Sequence, residues 1–194
     1  EPLSLEDRFT VRVVKDGRYD SALLVNVAGM DIFNVNDWPM DSEKRIKAFE
    51  KRYGHCDVLL AAFSYATGRG GPEDVHGRRA AAEAQLMSLV RQGQRLQAKT
   101  VIPIGSFMYF ANVLNSYMND AVMTPRRVKD ACRAAGADFK CVFLKPMETL
   151  DLDNDSPKQQ ESSLSFWEHA FTSAKPYIRY QNSYSIDHLS ELFH

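Results

Sequence analysis

The chain has 194 residues, 44% hydrophobic and 11% aromatic, which suffices for one ordinary core and is too apolar for a disordered protein. Its 24 lysines and arginines nearly balance 25 aspartates and glutamates, so no global field selects nucleic acid or an anionic membrane. Cys56, Cys132 and Cys141 lack C-x-x-C spacing and point to free thiols in a reducing, cytoplasmic setting, and no apolar run approaches the roughly 20 residues of a membrane span. Nothing at the start resembles a signal peptide, and the first residues are Glu1-Pro2 rather than methionine, as expected of a fragment or a processed product.

Phe9 to Val14 reads as a strand, and Lys15-Asp-Gly-Arg18 as a turn into the next one. Ala22 to Val27 and Met30 to Val35 are β-prone runs separated by Ala28-Gly29, the short spacing of a tight hairpin. Asn34 and Asn36 follow, and they deliver Asp37 just past the strand end, where a carboxylate can face a cleft while its strand stays anchored. After Pro39, Asp41 or Ser42 can cap a helix running to Tyr53, with Gly54 as its stop. Asp57 to Ser64 is continuously apolar rather than alternating, which suits a strand buried on both sides of a layered sheet.

A glycine-rich loop, Gly68-Arg-Gly-Gly-Pro72, precedes a long helical pattern from about Glu73 or Asp74 to Gln97, weakened at Gly93. Lys99 to Ile104 is a second buried strand, so strand, helix and strand form a crossover unit joining parallel strands. Gly105 to Asp120 is rich in both aromatics and asparagines. Thr124-Pro125 opens a helix ended by Gly136, and Phe139 to Leu144 reads as a last strand. Asp151 to Ser165 reads as a polar linker, followed by short helices at Leu164 to Ala174 and Ile186 to Phe193. A β-meander followed by alternating helices and strands predicts a layered α/β domain whose strand ends carry the site.

Three polar strand ends stand out: Asn36-Asp37, Ser64-Tyr65 and Gly105-Ser106. They share one cleft if their strands are neighbours. Asp37 suits a metal-facing role, with Asn34 and Asn36 orienting its carboxylate; the bland reading is a turn closed before Pro39. The Gly68 loop with Arg69, and Arg78 beyond it on the helix, can hold a phosphate or carboxylate through backbone N–H groups and arginine forks, although an ordinary loop with a basic face fits the pattern too. Tyr65, Tyr109, Asn112 and Asn119 are candidates to line a polar sugar or nucleotide pocket, against a plain core role for the aromatics.

Asp20-Ser21 leading to Asn34-Val-Asn-Asp37, then Asp57 to Tyr65, then Val101-Ile-Pro-Ile-Gly105, resembles the second half of a metallo-β-lactamase-fold domain. The branch it looks most like is that of bacterial hydrolase-like proteins, which also resembles the non-Rieske part of CMP-N-acetylneuraminate hydroxylase. Phe63-Ser-Tyr65, Arg78-Arg79 and Tyr109 to Pro125 carry the most specific part of the likeness. The resemblance implies an αββα sandwich with one or two zinc or iron ions at the sheet edges, and by position Asp37 as a metal ligand. The signature H-x-H-x-D-H loop of that fold is missing from this sequence, together with the β-half that would hold it. A lone aspartate cannot hold either metal.

The expectation is therefore the C-terminal half of a metallo-β-lactamase-like sandwich over residues 1–150, with a linker and C-terminal helices over 151–194. Its implied role is part of a metal-dependent hydrolase or di-iron oxygenase acting on a polar, anionic small molecule such as a phosphorylated or nucleotide-linked sugar. The alternative is a non-catalytic binding or assembly module that keeps the scaffold without metal. The partners expected are that substrate and an upstream half domain or a second copy, with no nucleic acid and no membrane.

Overall fold

In the computed structural model, which describes residues 3–6, 8–16, 20–36, 38–65, 70–105, 107–154 and 156–173, the chain opens with four antiparallel strands. These are β1 (Leu3–Glu6), β2 (Phe9–Lys15), β3 (Ser21–Val27) and β4 (Met30–Asn34). Ala28 and Gly29 both take left-handed backbone (φ 54° and 92°), as a two-residue turn matching the strand twist requires, and this sets Val27 opposite Met30 and Val25 opposite Ile32. The predicted hairpin is thus observed, and β1 is an additional edge strand that the sequence did not announce.

After β4 every strand is parallel to the one before and separated from it by helix. The order is α1 (Glu43–Tyr53), β5 (Val58–Ala62), α2 (Val75–Arg95), β6 (Thr100–Ile104), a 3-10 turn at Ser116–Ala121, α3 (Pro125–Ala134), β7 (Lys140–Cys141) and α4 (Pro157–Thr172). Asp74 caps α2 by accepting from the Gly77 amide (2.9 Å), and Thr124 caps α3, whose first residue is proline. The seven strands lie in sequence order, β1 to β7, in one mixed sheet. The α/β class expected from the sequence is the class observed.

Crossovers of one hand, all stepping in the same direction across the sheet, deposit α1, α2 and α3 on one face. Helix packs on helix in that layer, α1 on α2, α2 on α3 and α3 on α4. Beneath it Val14, Ala22, Phe33, Leu59, Ala61 and Val101 form the floor of the core, none more than 5% exposed. The strand registers place Val11, Val25, Ile32 and Val58 in one row across the opposite face and Val13, Leu23, Asn34, Leu60 and Ile102 in the next, with Val27, Met30 and Ile104 beside them. Among the described residues no helix covers that face. Val13 is 65% exposed, Val27 39% and Leu23 36%, Val58 is buried at 4%, and the other apolar side chains of the face are half-buried.

Two predicted boundaries shift for physical reasons. The stretch that reads as a linker up to Ser165 is helical from Pro157, because Ser156 caps it by accepting from the Gln159 amide (3.3 Å). The helix is then tied to α3 by the Arg126 guanidinium, which bonds Glu168 (2.6 Å) and Glu161 (2.9 Å), and by Trp167 stacked on Phe107 at 3.7 Å. The last strand shrinks to Lys140–Cys141, since the chain beyond the Val142 amide bond to Val101 turns Phe143 into the core against Phe63. The helix expected at Ile186 to Phe193 lies outside the described residues, and no described helix is long and apolar enough to cross a membrane.

Gly93 is not merely a weak point in α2. A Cβ there would sit 2.5 Å from Phe139 Cε1 and 2.9 Å from Val101 Cγ2, both in the core. Helix propensity favours alanine by about 1 kcal/mol, whereas overpacking a buried ring costs about 1–3 kcal/mol. Gly93→Ala is therefore expected to destabilise the protein by on the order of 1 kcal/mol in urea unfolding, and a stabilised variant would contradict the packing described.

Candidate functional site at the strand crest

Parallel pairing sets Asn34 beside Leu60 and Ala62 beside Ile104, so the C-terminal ends of β4, β5 and β6 lie side by side. The three polar strand ends singled out in the sequence thus form one crest. Asn34 accepts from the Asn36 amide (3.2 Å), folding the end of β4 back on itself. The Asn36 side chain lies against the backbone of Gly105, where an added Cβ would be 2.1 Å from its Oδ1, and Gly105 has φ +70°. Glycine is required there on both counts. Asp37 follows Asn36 directly and, with Arg69 and Ser106, lies outside the described residues.

The aromatic and amide-rich segment folds over the end of β5. Tyr65, 6% exposed, donates its hydroxyl proton to the Met118 carbonyl and stacks on Phe110 (centroids 6.1 Å apart). Burial, and next the Asp120 charge, push its phenol above the usual range. Asn119 accepts from the Phe110 amide (2.8 Å) and donates to the Phe110 carbonyl (2.9 Å), standing in for a missing β-partner. Asn112 accepts from the Leu114 amide (2.9 Å), closing a turn. Tyr109 is half-buried in the same segment. These asparagines satisfy the backbone of a segment that has no ladder.

Arg78 is 1% exposed and is held on four sides. Its Nε and Nη2 grip both Asp120 carboxylate oxygens (3.0 and 2.7 Å), other donors reach the carbonyls of Gly71 and Pro72, and the guanidinium lies 4.8 Å from the Tyr117 ring centroid. The hydrogen bonds from Arg78 hold the Asp120 carboxyl below the usual carboxylate range. An external anion at Arg78 would have to displace that carboxylate. The structure therefore brings Tyr65, Arg78 and Asn119 into one cluster over β5, and sets Asn34 and Asn36 apart from it on the crest of β4.

A cavity of about 360 Å3 opens on the far side of β4, between α1 and the end of the β2–β3 ribbon, lined by Trp38, Arg45, Phe49, Arg52, Tyr53 and Asp16 among others. The sequence reading missed it, although Phe49 and Tyr53 at helical spacing with arginines at 45 and 52 were the available signal. Among the described residues no three histidine, cysteine, aspartate or glutamate side chains cluster as metal ligands. The described residues alone thus do not fit a zinc or iron ion, which takes three or four ligands.

No family model matches the chain, and no curated protein matches it. Among solved structures it is similar to Igni18, described as a novel metallo hydrolase from the hyperthermophilic archaeon Ignicoccus hospitalis KIN4/I, with a TM-score of 0.47, 13% identity, and 77% of this chain and 57% of that chain covered. It is also similar to a mutant of the CmlA beta-hydroxylase, with a TM-score of 0.47, 13% identity, and 75% of this chain and 31% of that chain covered. The chain thus spans less than two thirds of either structure.

The pair of buried Arg78 and partly exposed Asp120 makes a prediction about acid. Because the folded-state pKa of Asp120 is depressed, its contribution is complete at neutral pH and is lost as pH falls from the ordinary value of 3.8 through the lowered one. Asp120→Asn should lower the unfolding midpoint at pH 7 and flatten the fall in stability below about pH 4. Equal acid sensitivity in the two proteins, followed by thermal unfolding across that range, would contradict the assignment.

Proposed function

We propose that this chain is one β-layer of a two-layer αββα sandwich of metallo-β-lactamase type, and that its strand crest forms one wall of a metal-dependent hydrolase or oxygenase site. The observation that supports this reading is a mismatch between sequence and cover. In β5 and β6 both faces are apolar, Val58, Leu60 and Ile102 on one side and Leu59, Ala61 and Val101 on the other, as in sheets covered twice. Only one cover is present among the described residues. The bare face has a footprint on the order of 400 Å2 from strand spacing and rise, a size at which exposed apolar surface marks an interface. Covering it is worth roughly 10 kcal/mol of gross burial.

In this reading a second sheet packs on the bare face at the usual spacing of about 10 Å, and supplies the ligands this chain lacks. Asp37, which follows Asn36 in sequence, would contribute one carboxylate to zinc or iron, and Asn34 and Asn36 would orient it. The substrate class is a polar anion such as a phosphorylated or nucleotide-linked sugar, by analogy of fold. Further polypeptide upstream is the proposed source of the second sheet.

The commitment of Arg78, Tyr65 and Asn119 to internal bonds favours a second reading, a binding or assembly module that keeps the two-layer scaffold without metal. Metal analysis of the natural polypeptide separates the two. The enzyme reading expects stoichiometric zinc, iron or manganese that is lost in Asp37→Ala without unfolding. Metal-free protein whose folding is unchanged by Asp37→Ala would overturn it in favour of the module.

A further inference from the structure

We propose that the cavity between α1 and the end of the β2–β3 ribbon is a binding site for a small aromatic anion, an aryl phosphate or aryl carboxylate. This inference does not rest on the metal reading. Three rings wall the cavity and brace one another, Trp38 edge to face against Phe49 at 5.2 Å and against Tyr53 at 6.2 Å, and Phe49 tilted against Tyr53 at 4.7 Å. Rings fixed in this way offer faces and edges at which a further aromatic ring can dock without first being ordered. A volume of about 360 Å3 suits one ring with one anionic group, at the small end of ligand pockets.

The charge around these rings is positive. The guanidinium carbons of Arg12 and Arg52 lie 5.6 and 5.3 Å from the Tyr53 ring centroid. Among the described residues no carboxylate pairs with either. An arginine laid over a ring keeps its in-plane N–H groups free for an anion, and a phosphate or carboxylate matches that fork. Arg45, also in the lining, is paired with the exposed Asp41 at 3.1 Å, while the Asp16 carboxylate accepts the Asp20 amide of its own turn. The Tyr53 hydroxyl is buried behind the ring, with no hydrogen-bond partner among the described residues, so it is the ring and not the hydroxyl that Tyr53 presents to the cavity.

The two tryptophans provide the test. Trp38 lines the cavity, whereas the Trp167 indole donates to the Leu144 carbonyl (2.9 Å) beside α4 and serves as an internal control. In nitrogen–proton correlation NMR of the 194-residue chain, phenyl phosphate should shift the Trp38 indole signal saturably at millimolar concentration and leave that of Trp167 in place. Arg52→Gln, at an exposed position where folding is not at stake, should weaken binding about tenfold or more, and Arg12→Gln provides a second, independent removal of charge. Phenol and inorganic phosphate, each carrying half of the ligand, should bind more weakly than phenyl phosphate. No saturable shift up to about 10 mM, equal binding by either half-ligand, or unchanged affinity in both arginine variants would overturn the proposal. Metal content is unaffected by any of these outcomes, so failure here is distinguishable from failure of the metal reading.

Discussion

The handedness of the crossovers governs this structure. A strand that leads through a helix to a parallel neighbour does so with one hand. Repeating the step from β4 to β7 without reversing direction sends α1, α2 and α3 to the same side. The sheet is left with a helical cover on one face and none among the described residues on the other. Apart from Asn34, Thr100 and the Lys15–Ser21 pair at the end of the ribbon, the side chains of β2 to β6 on the uncovered face are apolar. A strand with one solvated face alternates apolar and polar residues, whereas β5 and β6 are apolar on both faces. The proposed second layer follows from that conflict.

The same geometry places the ends of β4, β5 and β6 in one row, and the contacts along it divide the crest into two parts with different duties. Over β5 the polar groups are spent on holding irregular chain, with Arg78 clamped by Asp120 and Asn119 standing in for a strand partner. Over β4 the chain is held back by Asn34 and by Asn36 lying against Gly105. Beside β4 the arginine and aromatic cavity is lined by Arg52, which no described carboxylate pairs, and by Arg45, which Asp41 does. Polar groups already satisfied internally stabilise the fold, whereas a cavity with unspent donors can bind.

Much of this architecture is legible in the residues. The Ala28-Gly29 turn, the apolar runs of β5 and β6 and the cap at Thr124 are local signals, and each is where it was expected. The adjacency of the three strand ends was conditional on pairing and is supplied by the sheet. What escaped is non-local. The Arg78–Asp120 pair spans 42 residues and the Arg126–Glu168 bridge another 42, so neither leaves a periodic trace. The polar stretch before Ser165 looks like a linker because α4 owes its place to contacts with α3 and Phe107 rather than to an apolar stripe. The asparagines of the segment 105–120 suggested a ligand pocket because amides that serve a sugar and amides that serve an unpaired backbone are the same residues.

The central claim, that one face of the sheet awaits a second layer, is tested most directly by β-branched, polar replacements on that face. Val25→Thr and Ile32→Thr change strand propensity little and add a hydroxyl whose cost depends on burial. In the 194-residue chain each is predicted to change the unfolding free energy by less than about 0.5 kcal/mol, and in a polypeptide carrying both layers to cost about 1–3 kcal/mol. The full cost appearing already in the 194-residue chain would show that the face is covered from within, and would contradict the account.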